Sequence, residues 1–234
     1  MMKNITLVSK CLRNLVVTVG LALFQTQPGF AASNTPGLFF FGAGMGPVDY
    51  SSANFIADNF QNEVAAQLPG ISPSYNKDNT DTGVRITGGY QFNKNLSAVF
   101  SFTDLGQYTF NGTGTGGTNI VSYDVTANTF GIELGGELAF PVMNNKLIPY
   151  ANAGLFIWSS EAEWTVLSAI DGKSHGSATD DGNDFVYGIG ANYFFNEYVG
   201  VGVTWKRYDI NSVYGDNGIK IDFLSLNFTF TPGS

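Results

Sequence analysis

The chain has 234 residues, with 11 basic and 19 acidic side chains and a formal net charge of -8. That acidity argues against a nucleic-acid partner, whose phosphates call for clustered Lys and Arg, and the length suits one domain. It also holds 20 Phe, 11 Tyr and 29 Gly but one Cys, so its aromatics need a use that disulfide scaffolds do not supply.

Lys3, Lys10 and Arg13 precede the apolar run from Leu15 to Phe24, and Gly29-Phe30-Ala31-Ala32 follow. A basic end, a short apolar stretch and a small-x-small site make a secretory leader, with cleavage after Ala31. Residues 1-31 are therefore expected to be removed and 32-234 to form the mature domain. About ten apolar residues are too few for a spanning helix, which needs about 20. Cleavage would remove Cys11, the one cysteine, and three basic residues but no acidic one. No later segment is apolar and long enough to be a spanning helix. A closed barrel is the other structure that satisfies every backbone group within lipid.

Period-two alternation predicts eight strands. The first, about Gly37 to Pro47, sets Phe39, Phe41, Ala43 and Met45 against Gly42, Gly44 and Gly46. The second, about Thr82 to Phe92, points Val84, Ile86, Tyr90 and Phe92 outward. Asn93-Lys94-Asn95 turns the chain into the third, about Leu96 to Tyr108, with Leu96, Ala98, Phe100 and Phe102 outward. The fourth, about Asn119 to Phe140, has Phe130, Ile132, Leu134, Leu138 and Phe140 outward. The fifth, about Leu147 to Trp158, is apolar on both faces, so its facing stays open. The sixth, about Phe185 to Phe195, alternates Tyr187, Ile189, Ala191, Tyr193 and Phe195 with Gly188, Gly190 and Asn192. After Asn196-Glu197, Val199, Val201, Val203 and Trp205 alternate with Gly200, Gly202, Thr204 and Lys206. The last strand sets Leu224, Leu226, Phe228 and Phe230 against Ser225, Asn227 and Thr229. One face is aromatic and the other small and mildly polar, as for a strand with lipid outside and a narrow lumen inside. The fold class expected is all-β, an eight-stranded antiparallel up-and-down transmembrane β-barrel.

Charges and connections agree with this reading. Arg85, Glu133, Glu137 and Lys206 all fall on the face opposite the aromatics, where a lipid-facing cation would cost roughly 2–4 kcal/mol. Glu133 and Glu137 are four residues apart, about 13 Å along a strand, too far to share a proton. Each is expected to pair with Arg85 or Lys206 across the lumen, as a structural plug or as a gate. The turns at Asn93-Asn95, Pro141-Lys146 and Asn196-Glu197 are short. Asp49 to Asp81, Thr109 to Thr118, Ser159 to Asn183 and Asn211 to Gly218 are expected to be long outer loops that carry most of the acid. In the first, Ile56, Phe60, Val64 and Leu68 recur every four residues, which predicts a short helix over the barrel mouth. Trp158, Trp205 and Tyr208 are expected in an outer aromatic girdle, and Tyr90, Phe92, Phe140, Phe195, Phe228 and Phe230 in an inner one.

Other motifs are weaker. His175, with Ser174 or Ser177 and Asp180, could be drawn as a hydrolytic triad, but a Gly- and Ser-rich loop offers no rigid strand to hold it. Asp180-Asp181-Gly182-Asn183-Asp184 lacks the spaced ligands of an EF-hand. Gly112 to Gly117 has no Lys-Ser or Lys-Thr after it and reads as a loop tip. No metal, cofactor or enzymatic activity is expected.

Tyr187-Gly188-Ile189-Gly190, Trp205-Lys206-Arg207-Tyr208 and Leu224 to Phe230, with Gly88-Gly89-Tyr90-Gln91-Phe92 and Phe102-Thr103-Asp104-Leu105-Gly106 earlier, resemble the strands of OmpA-type eight-stranded outer-membrane barrels. The resemblance spans nearly all of the mature chain. It implies a monomer in the outer membrane, contacts with lipid and lipopolysaccharide, and insertion by the barrel-assembly machinery. Phe230 would belong to the insertion signal, although Thr231-Pro232-Gly233-Ser234 follow it. It also implies that the charged lumen quartet can gate. The function expected is structural or surface-interacting, with a host or surface ligand at the loops. The alternatives are a small gated porin-like pore and, less favoured, a lipid-modifying enzyme.

Overall fold

The computed structural model describes residues 37–67, 72–116, 119–169, 172–211 and 218–232. The expected leader with Cys11 and its expected cleavage site lie outside them, as does Leu68. Strands β1 (Leu38–Asp49), β3 (Thr80–Asn93), β4 (Leu96–Gly116), β5 (Asn119–Ala139), β6 (Leu147–Ser168), β7 (Gly172–Phe194), β8 (Val199–Ile210) and β9 (Ile219–Phe230) pair antiparallel in sequence order. β9 returns to β1, with Phe41 opposite Phe230, and closes a ring of eight. Closure leaves no sheet edge within lipid. Among the described residues no helix is long and apolar enough to cross a membrane.

The ends of the ring away from the long connections are finished by asparagines. The Asn93 carboxamide accepts from the Asn95 and Leu96 amides at 2.8 and 3.0 Å, and Asn196 does the same for Tyr198 and Val199 at 2.9 and 2.8 Å. Such side-chain turns close a hairpin in few residues.

The outward face is apolar over about nine residues of each strand, the length of a tilted crossing. Phe41, Phe100, Leu134, Leu155, Ile189, Val203 and Leu226 are among its exposed side chains. It turns polar at one level: Asp49, Thr82, Gln107, Asn128, Ser159, Asn183, Arg207 and Asp222. Arg207 donates to both oxygens of Asp222 there, at 2.8 and 2.6 Å. Val84 has outward parity yet is 2 % exposed, flanked by Met45 and Asp104 on its neighbouring strands.

Two expected loops are strands instead. β4 and β5 stay paired to Gly116 and Asn119, and β6 and β7 to Ser168 and Gly172, so residues 109–116, 159–168 and 172–183 continue the wall beyond the lipid boundary. Above that level the pattern inverts. Val121, Tyr123 and Val125 turn inward and are buried, while Ser122 and Asp124 face out. An added strand β2 (Ser72–Asp78) pairs with β4 where β3 stops, making a five-stranded sheet above the ring. β4 takes up one extra residue at this junction in its ladder with β5, at Gly106. Its φ of 77° suits glycine, and a Cβ there would lie 2.6 Å from Asp81 Oδ2.

Between β1 and β2 a single 3-10 turn (Ser51–Ala53) leads into helix α1 (Asn54–Gln67), as the four-residue spacing predicts. Ala53 and Ala57 are buried, and Phe60 packs on Phe110 and Tyr123 with ring centres 5.6 and 5.2 Å apart. The Tyr75 hydroxyl donates to Asp58 at 2.6 Å and ties the helix to β2. The Tyr50 hydroxyl reaches the Leu105 carbonyl at 3.3 Å. The helix thus caps the mouth of the ring.

Candidate functional site: a lumen in two halves

The lumen divides into an apolar outer half and a polar inner half. Leu105, Tyr108, Phe156, Trp158, Tyr208 and Phe223 are all buried in one cluster with Val48, Tyr50, Ala53, Ala57 and Ile221. Phe156 and Tyr208 stack edge to face, 4.7 Å between centres. β6, apolar on both faces, resolves into Tyr150, Asn152, Phe156 and Trp158 inward and Ala151, Ala153, Leu155 and Ile157 outward.

The expected outer girdle is corrected at two positions. Trp158 is 3 % exposed and donates from Nε1 to Asp184 Oδ2 at 2.9 Å within the wall. Tyr208 is fully buried and donates to Glu133 at 2.5 Å. Each has a polar atom that finds a partner only inside. The other girdle residues face outward. Trp205 lies edge-on to Tyr187 and beneath the Arg207 guanidinium, 5.3 Å from its centre. Tyr90 stacks on Phe92, and Tyr193 on Phe195. Phe92, Phe140 and Phe195 are exposed, while Phe228 and Phe230 are half-buried.

Beneath the apolar cluster lies the charged layer. Glu133 and Lys206 form an ion pair, 3 and 4 % exposed. Glu133 also accepts from Thr103 Oγ1 at 2.9 Å, so its carboxylate has three donors. The lumen glycines make room for this. A Cβ on Gly188 would meet Lys206 Cγ at 2.8 Å and the Trp205 carbonyl at 2.4 Å.

Arg85 and Glu137 are both inward but are not paired. Arg85, 7 % exposed, donates to Asn227 Oδ1 at 3.2 Å and Thr204 Oγ1 at 3.4 Å. Thr204 also accepts from Asn227 Nδ2 at 2.5 Å and bonds Tyr150 at 2.5 Å. Among the described residues no cation lies within ion-pair distance of Glu137. Glu137 and Arg85 instead line a cavity of about 90 Å³ with Thr87, Ser97, Tyr150 and Asn192. The quartet is therefore one tight pair and two separate charges. Tyr208, Thr103, Thr204 and Asn227, which complete its network, were missed by a search for charges. Their parity with Lys206 and Glu133 is the signal that finds them.

The weaker motifs also resolve. His175 is on β7, not in a loop, and its Nδ1 lies 3.3 Å from Thr165 Oγ1. It shares the outer face with Ser177, but Ser174 and Asp180 have the opposite parity, so no triad assembles. Residues 180–184 also alternate across β7, and among the described residues no cluster could hold a metal. Gly112 to Gly116 lie in β4, paired with β5. Above Phe185, β7 has β6 on one side, and among the described residues its Gly172–Asp184 edge has no partner strand on the other.

Among solved structures, OprG of Pseudomonas aeruginosa is 15 % identical over 88 % of this chain and 99 % of its own, with a TM-score of 0.46. Ail of Yersinia pestis, in complex with the heparin analogue sucrose octasulfate, is 11 % identical over 85 % and 100 %, with a TM-score of 0.41. Neisserial surface protein A is 14 % identical over 82 % and 96 %, with a TM-score of 0.40. No curated protein matches the chain. Residues 19–231 match the family described as the outer membrane protein beta-barrel domain. The chain belongs to that family of outer-membrane β-barrels.

Proposed function

We propose that this barrel is a closed anchor for a cell-surface interaction sheet. The observation that carries the reading is the apolar cluster under α1, which fills the outer half of the lumen where a pore would need water. The five-stranded sheet then stands beyond the lipid with a β7 edge that has no partner strand among the described residues, a surface suited to an added strand from a partner. Asp181, on the outer face of that strand, favours a basic partner segment. The chain would reach the outer membrane on a leader removed near Ala31 and act as a monomer without cofactor or catalytic chemistry. Lipid, lipopolysaccharide and the assembly machinery are its membrane contacts in this reading.

Conductance of the refolded mature chain in a planar bilayer tests it. A silent bilayer is expected, with folding confirmed by β-rich circular dichroism. Discrete channels in the wild type would overturn it. A second arm shortens β6 and β7 to the lipid boundary. Cells carrying that variant should insert the barrel normally but lose binding to surface proteins that the wild type captures. The gated-pore alternative is favoured by one feature, the cavity holding unpaired Glu137 below the Glu133–Lys206 pair. It predicts that Glu133→Gln, Glu137→Gln opens channels.

A further inference from the structure

A second surface lies on the outer wall of the extended sheet. The register sets Ser74, Thr113 and Ser122 side by side across β2, β4 and β5, and Asn76, Asn111 and Asp124 in the next row down. Adjacent strands are about 4.8 Å apart, and rows two residues apart about 7 Å. Between the two rows runs the inward-turned set Tyr75, Gly112 and Tyr123, so the outer surface there is a trough. It measures about 490 Å³ and ends on β6 at Thr165 and Leu167. This trough belongs to neither the lumen nor the free edge of β7.

Its polar groups are unspent. Asn111, Thr113, Ser122 and Asp124 make no side-chain hydrogen bond among the described residues. They offer an amide, two hydroxyls and a carboxylate at sheet spacing. No Lys or Arg lines the trough, so a phosphate or sulfate has no counter-charge there. Vicinal hydroxyls match this set, since each can donate to Asp124 or Asn111 and accept from the amide or a hydroxyl. The position narrows the source. Asp124 is six residues above Phe130, where the lipid-facing apolar run of β5 ends, about 20 Å along the strand. A tilt of 35–45° leaves roughly 15 Å of height. The trough also faces sideways, along the membrane, rather than up.

We propose that this trough binds the neutral sugars of a glycolipid in the same outer leaflet. It would hold the sheet upright against its own membrane and would not contact the charged headgroup. The probe is delipidated core oligosaccharide from rough lipopolysaccharide, titrated against the refolded mature chain in detergent and read by amide chemical shifts. Shifts confined to residues 74–76, 111–113, 122–124 and 165–167 are expected. Asn111→Ala with Asp124→Ala should weaken binding at least tenfold. Glu163→Ala, on the same wall but outside the trough, should leave it unchanged. An unchanged backbone spectrum in the double variant separates loss of the site from loss of the fold. Shifts with lipid A alone and none with the oligosaccharide would overturn the proposal. So would binding of a glycan foreign to the membrane in place of the core sugars. Neither result bears on conductance or on the β7 edge, so this site and the surface-anchor reading fail separately.

Discussion

Lys206→Met tests the charged layer most sharply. The substitution keeps the stem of the side chain and removes the ammonium facing Glu133. That carboxylate is 3 % exposed and would keep only the Thr103 and Tyr208 donors. Removing one member of a buried pair costs about 3–5 kcal/mol, mostly because the other charge is left uncompensated. Glu133→Gln with Lys206→Met removes both charges and leaves an amide that can still accept from Tyr208. Replacing a whole buried pair is often close to neutral, so the double variant should be more stable than Lys206→Met alone. The coupling expected from the full cycle is about 2 kcal/mol or more. Urea unfolding of the barrel in lipid vesicles, followed by tryptophan emission, supplies the numbers. A single-variant loss under about 1 kcal/mol, or additive losses in the double, would refute the reasoning. Either would mean that water already reaches the pair and that the apolar layer does not seal it.

Three further outcomes follow from other parts of the molecule. The hydrogen bond to Asp58, then burial, raises the Tyr75 hydroxyl above its usual range, and burial pushes Tyr108 up to about 12. A raised value means stability that is complete below pH 10 and lost as pH climbs through the folded value. Protease cleavage within 51–78 should therefore rise above pH 10, and less so in Tyr75→Phe. Gly106→Ala should cost about 1–3 kcal/mol through its positive φ and the contact with Asp81, measured by the same urea unfolding. Brominated acyl chains should quench Trp205 but spare Trp158, so Trp205→Phe should abolish most quenching. Strong residual quenching would contradict the inward placement of Trp158.

The membrane-spanning part was legible because a single rule governs it. Apolar residues face lipid at every second position, and Phe130, Ile132, Leu134 or Tyr187, Ile189 and Tyr193 obey it throughout. Above the lipid the solvent changes and the rule reverses. Ala162, Trp164 and Val166 alternate with Glu161, Glu163 and Thr165 as cleanly as any spanning segment, but with the apolar set inward. Read for polarity, that stretch passes as a loop; read for period, it is a strand. The same reversal explains Trp158 and Tyr208. Their aromatic character suggested a girdle, whereas their even numbering groups them with Phe156 and Lys206 inside. Which charges would pair was not legible. Glu133 and Glu137 share a face, and only the register of β8 against β9 and β7 decides that Lys206 meets the first.

The extra residue at Gly106 also sets which way the exposed part of the protein is turned. Below it, Ser97, Ser101 and Thr103 of β4 face the lumen; above it, Tyr108 and Phe110 do, so the inward set passes from odd to even numbers. Were the same residues to run on in plain alternation, with no bulge, Gln107 and Asn111 would point into the apolar cluster, and two buried aromatic rings would meet water. Deleting Gly106 would restore an unbroken ladder and keep Tyr108 and Phe110 inward, whereas a residue inserted there would leave the crossing strands in place while turning the display face of β4 inside out. One glycine makes the barrel and the sheet it carries separable in evolution: the wall can keep its lipid pattern while the part seen from outside is rewritten by changes of parity.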